Sequence, residues 1–345
     1  MSATDPLEAG DDPIAYFLQD VEYQGKTERT YDAYERVLRD FERFVREEYP
    51  RANTLDEVTH RACMAWLHRH RGSVARSTLA TYASYLHRFY AYMTQIGVFA
   101  ENPMALVIEQ MDESIDVDPT RREIPLERMR EFVDGVGHPL DRALIVTLLK
   151  TGIRAGELCN LDLRDLNLDF ESLGIDPDPR PQLHGKPDSL YVAPDPARGA
   201  VVNGERRAAS NKRRRPTVIP VDDELARVLE AWLAVRPDTR SAADPLFVST
   251  SGKWGARLTT HMLHHTVEKH ARRVDWHRTG GGAEENVTPH YFRHFFTTYL
   301  RNATGERGVV KYLRGDVADD VIDTYTHDWG DTVRETYERH IYRLS

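Results

Sequence analysis

Apolar residues that recur every three or four positions are the strongest constraint on how the first hundred residues of this chain fold. The clearest run steps by three and four residues: Tyr31, Tyr34, Leu38, Phe41 and Val45. This spacing places the apolar side chains on one face of an α-helix, and that face must pack against another element. Similar runs begin after Pro13, near Val58 and at Ser77. The pattern therefore predicts a bundle of four amphipathic helices in residues 1–108.

The chain changes character after Asn102 and Pro103, a pair that predicts the end of the bundle. Residues 109–120 are acidic and show little periodicity, which indicates a linker. Residues 121–345 are numerous enough for a second domain. Helical periodicity dominates there, but β-branched and aromatic residues at 190–192 and 217–219 predict two strands. We therefore expect a two-domain protein that is mostly α, with a small β-sheet in the second domain.

Residues 143–149 (ALIVTLL) predict a buried helix that ends at Gly152, a residue suited to a helix C-cap. Arg154 and Glu157 follow, three positions apart at the start of another helix. A charged side chain where a buried helix ends is costly unless it is paired or functional. Two interpretations are open at this point. Glu157 is only the ion-pair partner of Arg154, or Arg154 serves a binding site.

A second candidate segment begins at Thr288 and Pro289, a plausible N-cap and first helical residue. His290, Arg293 and His294 then fall at helical spacing, so one helix face carries all three side chains. An arginine between two histidines on a rigid helix is typical of a pocket for an oxyanion such as phosphate. The alternative is a core helix with a few solvated polar residues.

The region between the two predicted strands carries the most basic segment of the chain. Six positive residues and no acid lie between positions 206 and 215: Arg206, Arg207, Lys212, Arg213, Arg214 and Arg215. A charge run of this kind is usually a solvated surface. In an otherwise acidic chain it is also the best candidate for contact with a phosphate backbone.

The composition excludes some classes of protein and says little about nucleic acids. The net charge is −9, and only 7 of the 46 basic residues are lysine, which suits a salt-loving or GC-rich host. Cys63 and Cys159 lie far apart, which fits a reducing cytosol. His261, His264 and His265 lack a cysteine or carboxylate partner, so we expect no metal site. Because no signal peptide or membrane-spanning run is visible, we expect a cytoplasmic protein without a membrane partner.

Four stretches together resemble the tyrosine recombinases of the phage-integrase family. Residues 151–158 (TGIRAGEL) resemble the first arginine box of that family, and residues 290–296 (HYFRHFF) resemble its His-x-x-Arg box. Lys212, eight residues before Pro220, matches the lysine of the family's β-hairpin. Residues 313–316 (LRGD) and 323–327 (DTYTH) resemble its closing Leu-Gly-His and Tyr-Thr-His segments. The helical bundle resembles the family's core-binding domain.

The resemblance implies a site-specific recombinase that cuts and rejoins DNA through a 3′-phosphotyrosyl intermediate, without a metal ion or ATP. Tyr325 is then the nucleophile, and Arg154 and Arg293 bind the nonbridging oxygens of the phosphate. His290 accepts the proton of the nucleophile or donates a hydrogen bond to the phosphate. Lys212 protonates the leaving 5′-oxygen.

The resemblance also implies supporting roles and shows two departures. Glu157 orients the first arginine, and His294 supports the pocket. Asp316 stands where the family has His or Trp, and an ionised carboxylate there would repel phosphate. Because the loop is longer than the family pattern requires, Lys186 is an alternative to Lys212. A DNA-binding protein with impaired catalysis and a type IB topoisomerase are therefore alternative functions.

Double-stranded DNA is the expected partner, held in a clamp of two DNA-binding domains in a nucleoid-associated enzyme. The expected DNA-contacting residues of the basic segment are Arg206, Arg207, Arg213, Arg214 and Arg215. The resemblance further suggests a homotetramer on a DNA synapse. At the end of the chain, Val333, Tyr337 and Ile341 form an apolar stripe four residues apart. This stripe packs on its own domain or on a neighbouring subunit of the synapse.

Overall fold

The computed structural model describes residues 12–23, 28–50, 54–111, 121–169, 173–175, 178–213, 215–316 and 329–345. Two compact units divide the chain, residues 1–119 and residues 120–345. The described residues are mostly helical, with thirteen α-helices and five short strands. None of the helices among them combines the length and apolar character needed to cross a bilayer.

The first unit contains the four predicted amphipathic helices and one more. Its helices are α1 (Pro13–Tyr23), α2 (Glu28–Glu48), α3 (His60–His70), α4 (Arg76–Gln95) and α5 (Met104–Gln110). The apolar stripes meet in one core, in which Phe41, Trp66 and Phe89 are almost wholly buried. Phe41 packs edge-on against Trp66, with ring centroids 5.4 Å apart. The predicted bundle is therefore confirmed, although α4 begins one residue before Ser77.

The helix α5 contradicts the prediction that Asn102 and Pro103 end the bundle. The side-chain oxygen of Asn102 accepts a hydrogen bond from the backbone of Met104, 3.0 Å away, and the chain turns into a helix. Met104 and Val107 then bury their side chains in the core of the first unit. The helix continues to Gln110, so residues 109 and 110 are helical and not part of a linker. The rest of the predicted linker, residues 112–120, lies outside the described residues.

The second unit is built around helix α7, which is buried on all sides. Its helices are α6 (Leu126–Asp134), α7 (Pro139–Thr151), α8 (Ala155–Asn160), α9 (Asp223–Leu233), α10 (Thr260–Arg272), α11 (Pro289–Thr304), α12 (Arg307–Arg314) and α13 (Trp329–His340). Every residue from Ala143 to Leu149 is buried, as the apolar sequence predicts. Because α7 packs mainly against α9 and α11, its end lies next to the helix that carries the His-x-x-Arg segment.

The small β-sheet lies between α8 and α9 in sequence. Strands β1 (Leu166–Asn167), β2 (Ser189–Val192) and β5 (Thr217–Pro220) form an antiparallel sheet in the order β1-β2-β5. Both predicted strands are therefore confirmed. A separate hairpin of β3 (Val201–Val202) and β4 (Glu205–Arg206) was not predicted. Its two-residue turn, Asn203-Gly204, has positive φ at both positions, which is the signature of a type I′ turn.

The C-terminal tail packs on its own unit. Val333 and Tyr337 are buried, and the Tyr337 hydroxyl donates a hydrogen bond to the carbonyl of Lys150 at 2.9 Å. Lys150 is itself wholly buried, with its ammonium 2.6 Å from both Asp222 and Glu224. Of the two alternatives for the apolar stripe, the structure therefore has the one in which the tail docks on its own domain.

Candidate active site

The first arginine of the site is positioned by the turn that follows α7. Gly152 ends that helix with a φ of 62°, a left-handed conformation that glycine adopts without strain. A Cβ at this position would lie 2.3 Å from Phe296 Cδ1 on α11, so both the backbone and the packing require glycine. The turn brings Arg154 to the N-terminus of α8 as its N-cap residue.

Glu157 holds Arg154 in place from within the same helix. Its Oε2 accepts the backbone N–H of Arg154 at 2.8 Å, and its Oε1 lies 3.0 Å from Arg154 Nη1. Glu157 is wholly buried. Burial alone would raise the pKa of this carboxyl, but the charge of Arg213 and the contacts with Arg154 outweigh burial and hold the pKa below its ordinary value. Glu157 is therefore ionised and orients the Arg154 guanidinium.

Arg213, which is buried, also contacts the carboxylate of Glu157. Arg213 Nη2 lies 3.2 Å from Glu157 Oε2, and its side chain is fully buried. The same guanidinium donates to the carbonyl of Leu313 at 3.2 Å, which ties α8 to the end of α12. A Cβ at Gly315 would lie 2.6 Å from Arg213 Cζ, so this close approach also requires glycine. The guanidinium of Arg213 therefore makes its observed contacts inside the protein, an arrangement that does not favour the predicted contact of Arg213 with DNA.

The second arginine of the site comes from α11, as its helical spacing predicts. Arg293 is 2% exposed, and its Nη1 donates to the carbonyl of Gly152 at 2.7 Å. Its Nη2 donates to the carbonyl of Arg314 at 3.0 Å. Burial, together with the positive charges of Arg154 and Arg314, lowers the pKa of Arg293 to about 9. The guanidinium is thus still protonated at neutral pH.

Asp316 lies where the two arginines meet. Its Oδ1 is 2.9 Å from Arg154 Nη2 and 2.8 Å from Arg293 Nη2, and its Oδ2 is 3.1 Å from Arg314 Nε. The side chain is 27% exposed, so the cluster is open to solvent on one side. Arg154 lies 162 positions and Arg293 lies 23 positions from Asp316 along the chain. Both side chains nevertheless converge on its carboxylate.

The two histidines extend the same helix face. His290 is the second residue of α11 and is exposed, whereas His294 is half-buried. Neighbouring atoms still desolvate His290 in part. This desolvation and the positive charges of Arg121, Arg293 and Arg314 lower its pKa. A neutral imidazole at neutral pH follows, next to the arginine cluster.

The remaining predicted residues lie in different surroundings. Lys212 and Lys186 are both exposed, on the segments before β5 and β2. Tyr325 and Arg214 fall outside the described residues. The structure therefore brings together Arg154, Glu157, Arg293 and Asp316, with His290 and His294 on the same helix as Arg293.

The basic segment is divided between surface and interior. Arg206 and Arg215 are exposed. Arg207 is 2% exposed and pairs with the buried carboxylate of Asp162 through both terminal nitrogens, at 3.0 and 2.7 Å. Arg257 also donates to Asp162, so this carboxylate fixes the β3–β4 hairpin to the body of the unit. The buried pairing of Arg207 with Asp162 likewise does not favour the predicted contact of Arg207 with DNA.

Arg314 is the member of the cluster that the sequence analysis did not identify. It is the last residue of α12, directly before the C-cap Gly315. Its nearest sequence signal is the motif LRGD, in which two opposite charges flank a helix-ending glycine. That signal alone does not indicate that the side chain reaches the Arg154–Arg293 pair.

We expect Glu157→Gln to reduce the free energy of unfolding by about 3–5 kcal/mol, because it leaves the buried Arg213 and the partly exposed Arg154 without their carboxylate. Because the pKa of Glu157 is lower in the folded state, its ionised carboxylate stabilises the fold at pH values above the ordinary carboxyl pKa of 4.5. This stabilisation is lost as the pH falls through the folded-state pKa. As the pH is lowered, the free energy of unfolding should therefore fall less in the variant than in the wild-type protein. Urea unfolding at several pH values measures both effects.

Glu131→Gln is the matched control, because Glu131 forms an exposed ion pair with Arg128 on α6. A surface pair of this kind contributes at most about 1 kcal/mol. If Glu157→Gln were no more destabilising than this control, the assigned role of Glu157 in the buried ion-pair cluster would be wrong.

Family models match both units of the chain. The model of the phage integrase family matches residues 126–329. The model described as the phage integrase N-terminal SAM-like domain matches residues 14–97.

The relatives found by sequence are named tyrosine recombinases. The protein from Pelobacter propionicus named Tyrosine recombinase XerC is 23% identical over 317 residues, which cover 90% of this chain and 88% of the relative. The Shewanella oneidensis protein named Tyrosine recombinase XerD is 25% identical, with 95% of each chain covered.

Solved structures share the fold at lower identity. The Tn1549 transposon integrase in complex with a circular intermediate DNA has a TM-score of 0.64 at 19% identity and covers 95% of this chain and 98% of its own. A lambda integrase dimer bound to a COC′ core site has a TM-score of 0.59 at 14% identity, with 90% and 96% covered. Because the family model alone spans more than half of the 345 residues, this protein belongs to the phage integrase family.

Proposed function

We propose that the protein is a site-specific DNA recombinase that cuts and rejoins DNA through a 3′-phosphotyrosyl intermediate. The observation that carries the proposal is the convergence of two guanidiniums on one acceptor. Arg154 Nη2 and Arg293 Nη2 lie 2.9 and 2.8 Å from the same oxygen of Asp316. Two arginines held this way suit the nonbridging oxygens of a phosphodiester. The names of the sequence relatives favour a recombinase over a type IB topoisomerase.

The proposed cleavage step consists of one nucleophilic attack and two proton transfers. The hydroxyl oxygen of Tyr325 attacks phosphorus, and the bond from phosphorus to the 5′-oxygen breaks as the new bond forms. A phenol has an ordinary pKa near ~10, so it must lose its proton during attack. His290, with a pKa lowered by partial desolvation and neighbouring arginines, is the neutral base suited to accept that proton. Lys212 then protonates the leaving 5′-oxygen.

The charge of the pocket supplies the stabilisation of the transition state. The phosphate gains negative charge as the nucleophile adds, and fixed guanidiniums aimed at that charge lower the barrier. Arg154 is oriented by Glu157, and Arg293 by two backbone carbonyls, so neither must reorganise during the reaction. The energy of the broken bond is kept in the phosphotyrosine, which allows rejoining without ATP.

Double-stranded DNA is the proposed substrate, and a homotetramer on a synapse is the proposed assembly in a nucleoid-associated enzyme. His294 supports the pocket from α11. Arg206 and Arg215, two exposed members of the basic segment, are proposed as contacts to the DNA backbone together with Arg214. The proposal does not require the apolar tail for assembly, because that tail is buried on its own unit.

A trapping assay tests the proposed function. Duplexes recovered by binding selection from a randomised pool are resynthesised with a nick next to each candidate cleavage position. Cleavage then releases a short fragment and prevents religation. We expect wild-type protein to give a covalent protein–DNA band on a denaturing gel. Binding without any covalent band on all selected duplexes would instead indicate a DNA-binding protein with impaired catalysis.

Replacing Arg206 and Arg215 together by alanine should weaken binding to all duplexes alike. Each lost phosphate contact removes about 0.9 units from the slope of log affinity against log salt, so the double variant should lose up to about 2 units. Salt titrations by fluorescence anisotropy measure the slope. Arg128→Ala, another exposed arginine, is the control. An equal slope for wild type and the double variant would show that these residues belong to an ordinary solvated surface and do not contact the DNA backbone.

Lys212→Ala should bind DNA nearly as wild type does but cleave it more slowly, because the leaving 5′-oxygen then lacks its proton donor. A substrate with sulfur at the 5′ position has a leaving group that needs no proton. The cleavage rate of the variant on that substrate should therefore return to the wild-type rate. If instead only Lys186→Ala cleaves the ordinary substrate slowly and recovers on the sulfur substrate, the general acid is Lys186.

A further inference from the structure

One carboxylate lies among three guanidiniums at the candidate active site. Arg154 and Arg293 each contact Oδ1 of Asp316, at 2.9 and 2.8 Å, while Arg314 Nε lies 3.1 Å from Oδ2. Three positive charges therefore surround a single negative one. Such an excess of fixed positive charge is suited to an anion that gains charge during a reaction.

The two family arginines do not need Asp316 to stay in position. Arg293 is held by the carbonyls of Gly152 and Arg314, at 2.7 and 3.0 Å. Arg154 is held by Glu157 through its backbone N–H and its Nη1. The hydrogen bonds to Asp316 thus use the donors that remain after each guanidinium has been anchored. The carboxylate fills a preformed anion site instead of building it.

Arg314 has a donor without an aligned hydrogen bond in the part of the chain that the structure describes. Its Nε is inaccessible to solvent and has no hydrogen-bond partner within the described residues, although the Asp316 carboxylate is 3.1 Å away. Its side chain is 31% exposed, and its backbone carbonyl is fixed by Arg293. A buried donor without an aligned hydrogen bond is costly, so a ligand oxygen placed in line with this Nε would be favoured.

We infer that Arg314 is a third phosphate-binding residue of this pocket, and that the carboxylate of Asp316 occupies the phosphate position until DNA displaces it. The inference rests on the proposed function and deepens it. A phosphodiester offers two nonbridging oxygens to donors that now share one carboxylate oxygen. The backbone N–H of Asp316 donates to the carbonyl of Lys311 at 3.0 Å, so displacement needs only a rotation of the side chain. Asp316 is therefore an internal competitor, and Arg314 takes the role of the phosphate ligand that this position lacks.

Inorganic phosphate, titrated at constant ionic strength in the absence of DNA, is the probe. Its affinity is measured from the change in melting temperature and from ³¹P line broadening. If the carboxylate occupies the pocket about nine times in ten, it lowers the apparent affinity about tenfold. Asp316→Asn and Asp316→Ala should each bind phosphate at least about tenfold more tightly than wild type. Asp244→Asn is the matched control, because the exposed Asp244 pairs with Arg236 away from the cluster, and it should not change the affinity.

A second comparison isolates Arg314. Adding Arg314→Ala to Asp316→Asn should remove most of the gain in phosphate affinity, whereas adding Arg307→Ala, at an exposed position on the same helix, should not. Melting curves in chloride provide the folding baseline for every variant.

The outcomes separate this inference from the proposed function. No gain in phosphate affinity in either Asp316 variant would overturn the competitor role, even if wild type forms a covalent adduct with DNA. A gain that survives Arg314→Ala would overturn the role of Arg314. A gain in phosphate affinity that is lost with Arg314→Ala would support the inferred phosphate pocket even if no adduct with DNA formed. In that case only the proposed recombinase activity would fail.

Discussion

Arg293→Ala and Arg154→Ala are each expected to slow DNA cleavage by at least about 10²–10³-fold, because each removes a fixed donor to the charge that develops in the transition state. The two variants should differ in stability. Arg293 is buried and donates to two backbone carbonyls, so its removal leaves buried acceptors unsatisfied. Arg154 is 29% exposed, and its loss disturbs the fold less. Single-turnover cleavage rates and melting temperatures measure both effects.

Arg301→Ala on the same helix is the control for these variants, because Arg301 is exposed on α11. It should cleave at the wild-type rate. Arg293→Lys separates charge from geometry, since lysine keeps the charge but cannot form the two-pronged contact of a guanidinium. Wild-type cleavage by either alanine variant would show that the phosphate binds elsewhere.

Tyr325→Phe should bind the selected duplexes with wild-type affinity and form no covalent adduct, because phenylalanine has no nucleophilic oxygen. The other tyrosines near the end of the chain are poor candidates. Tyr337 and Tyr342 are buried, and their hydroxyls donate to the carbonyls of Lys150 and Leu149. Burial raises the pKa of both phenols well above the ordinary value, which opposes ionisation.

Tyr337→Phe is the paired control. It removes the hydrogen bond to Lys150 and should reduce the free energy of unfolding by about 1 kcal/mol, but it should still form the adduct. An adduct that survives in Tyr325→Phe and disappears in Tyr337→Phe would reverse the two assignments.

Local patterns were enough to predict most of the helices, whereas the grouping of Arg154 and Arg293 in one site rests on the motif resemblance. The stripe that begins at Tyr31 and the apolar run 143–149 specify buried helix faces, since each depends only on residues within a few turns. Gly152 is predictable for the same reason, because a helix ending on a left-handed residue favours glycine. The Asn203-Gly204 turn also has a local signal, since Asn-Gly favours the positive φ values of a type I′ turn.

The division of the basic segment could not be predicted from local sequence. Arg207 is neutralised by Asp162, 45 residues earlier, and Arg213 by Glu157, 56 residues earlier. A run of positive charge does not reveal which members meet a distant buried carboxylate. The sequence therefore predicts a basic surface, whereas the structure has two structural ion pairs, and of the other described members Arg206, Lys212 and Arg215 are exposed.

The same limit applies to the arginine cluster. Arg154 and Asp316 are 162 residues apart and meet only because α7, α11 and α12 pack together. The motif resemblance grouped these segments into one predicted site, and the structure brings Arg154, Arg293 and Asp316 into contact. It assigned Asp316 a repulsive role toward phosphate and gave Arg314 no role, because the contact between them exists only in the folded protein.

Peptide mapping of the trapped adduct identifies the nucleophile directly. No lysine or arginine lies between Arg314 and Arg334, so trypsin releases residues 315–334 as one peptide, and Tyr325 is its only tyrosine. After digestion of the DNA by nuclease, we predict that this peptide carries a nucleotide joined through its 3′-phosphate to Tyr325. The same modification on the peptide that contains Tyr337 or Tyr342, or its absence from every tyrosine, would contradict the account.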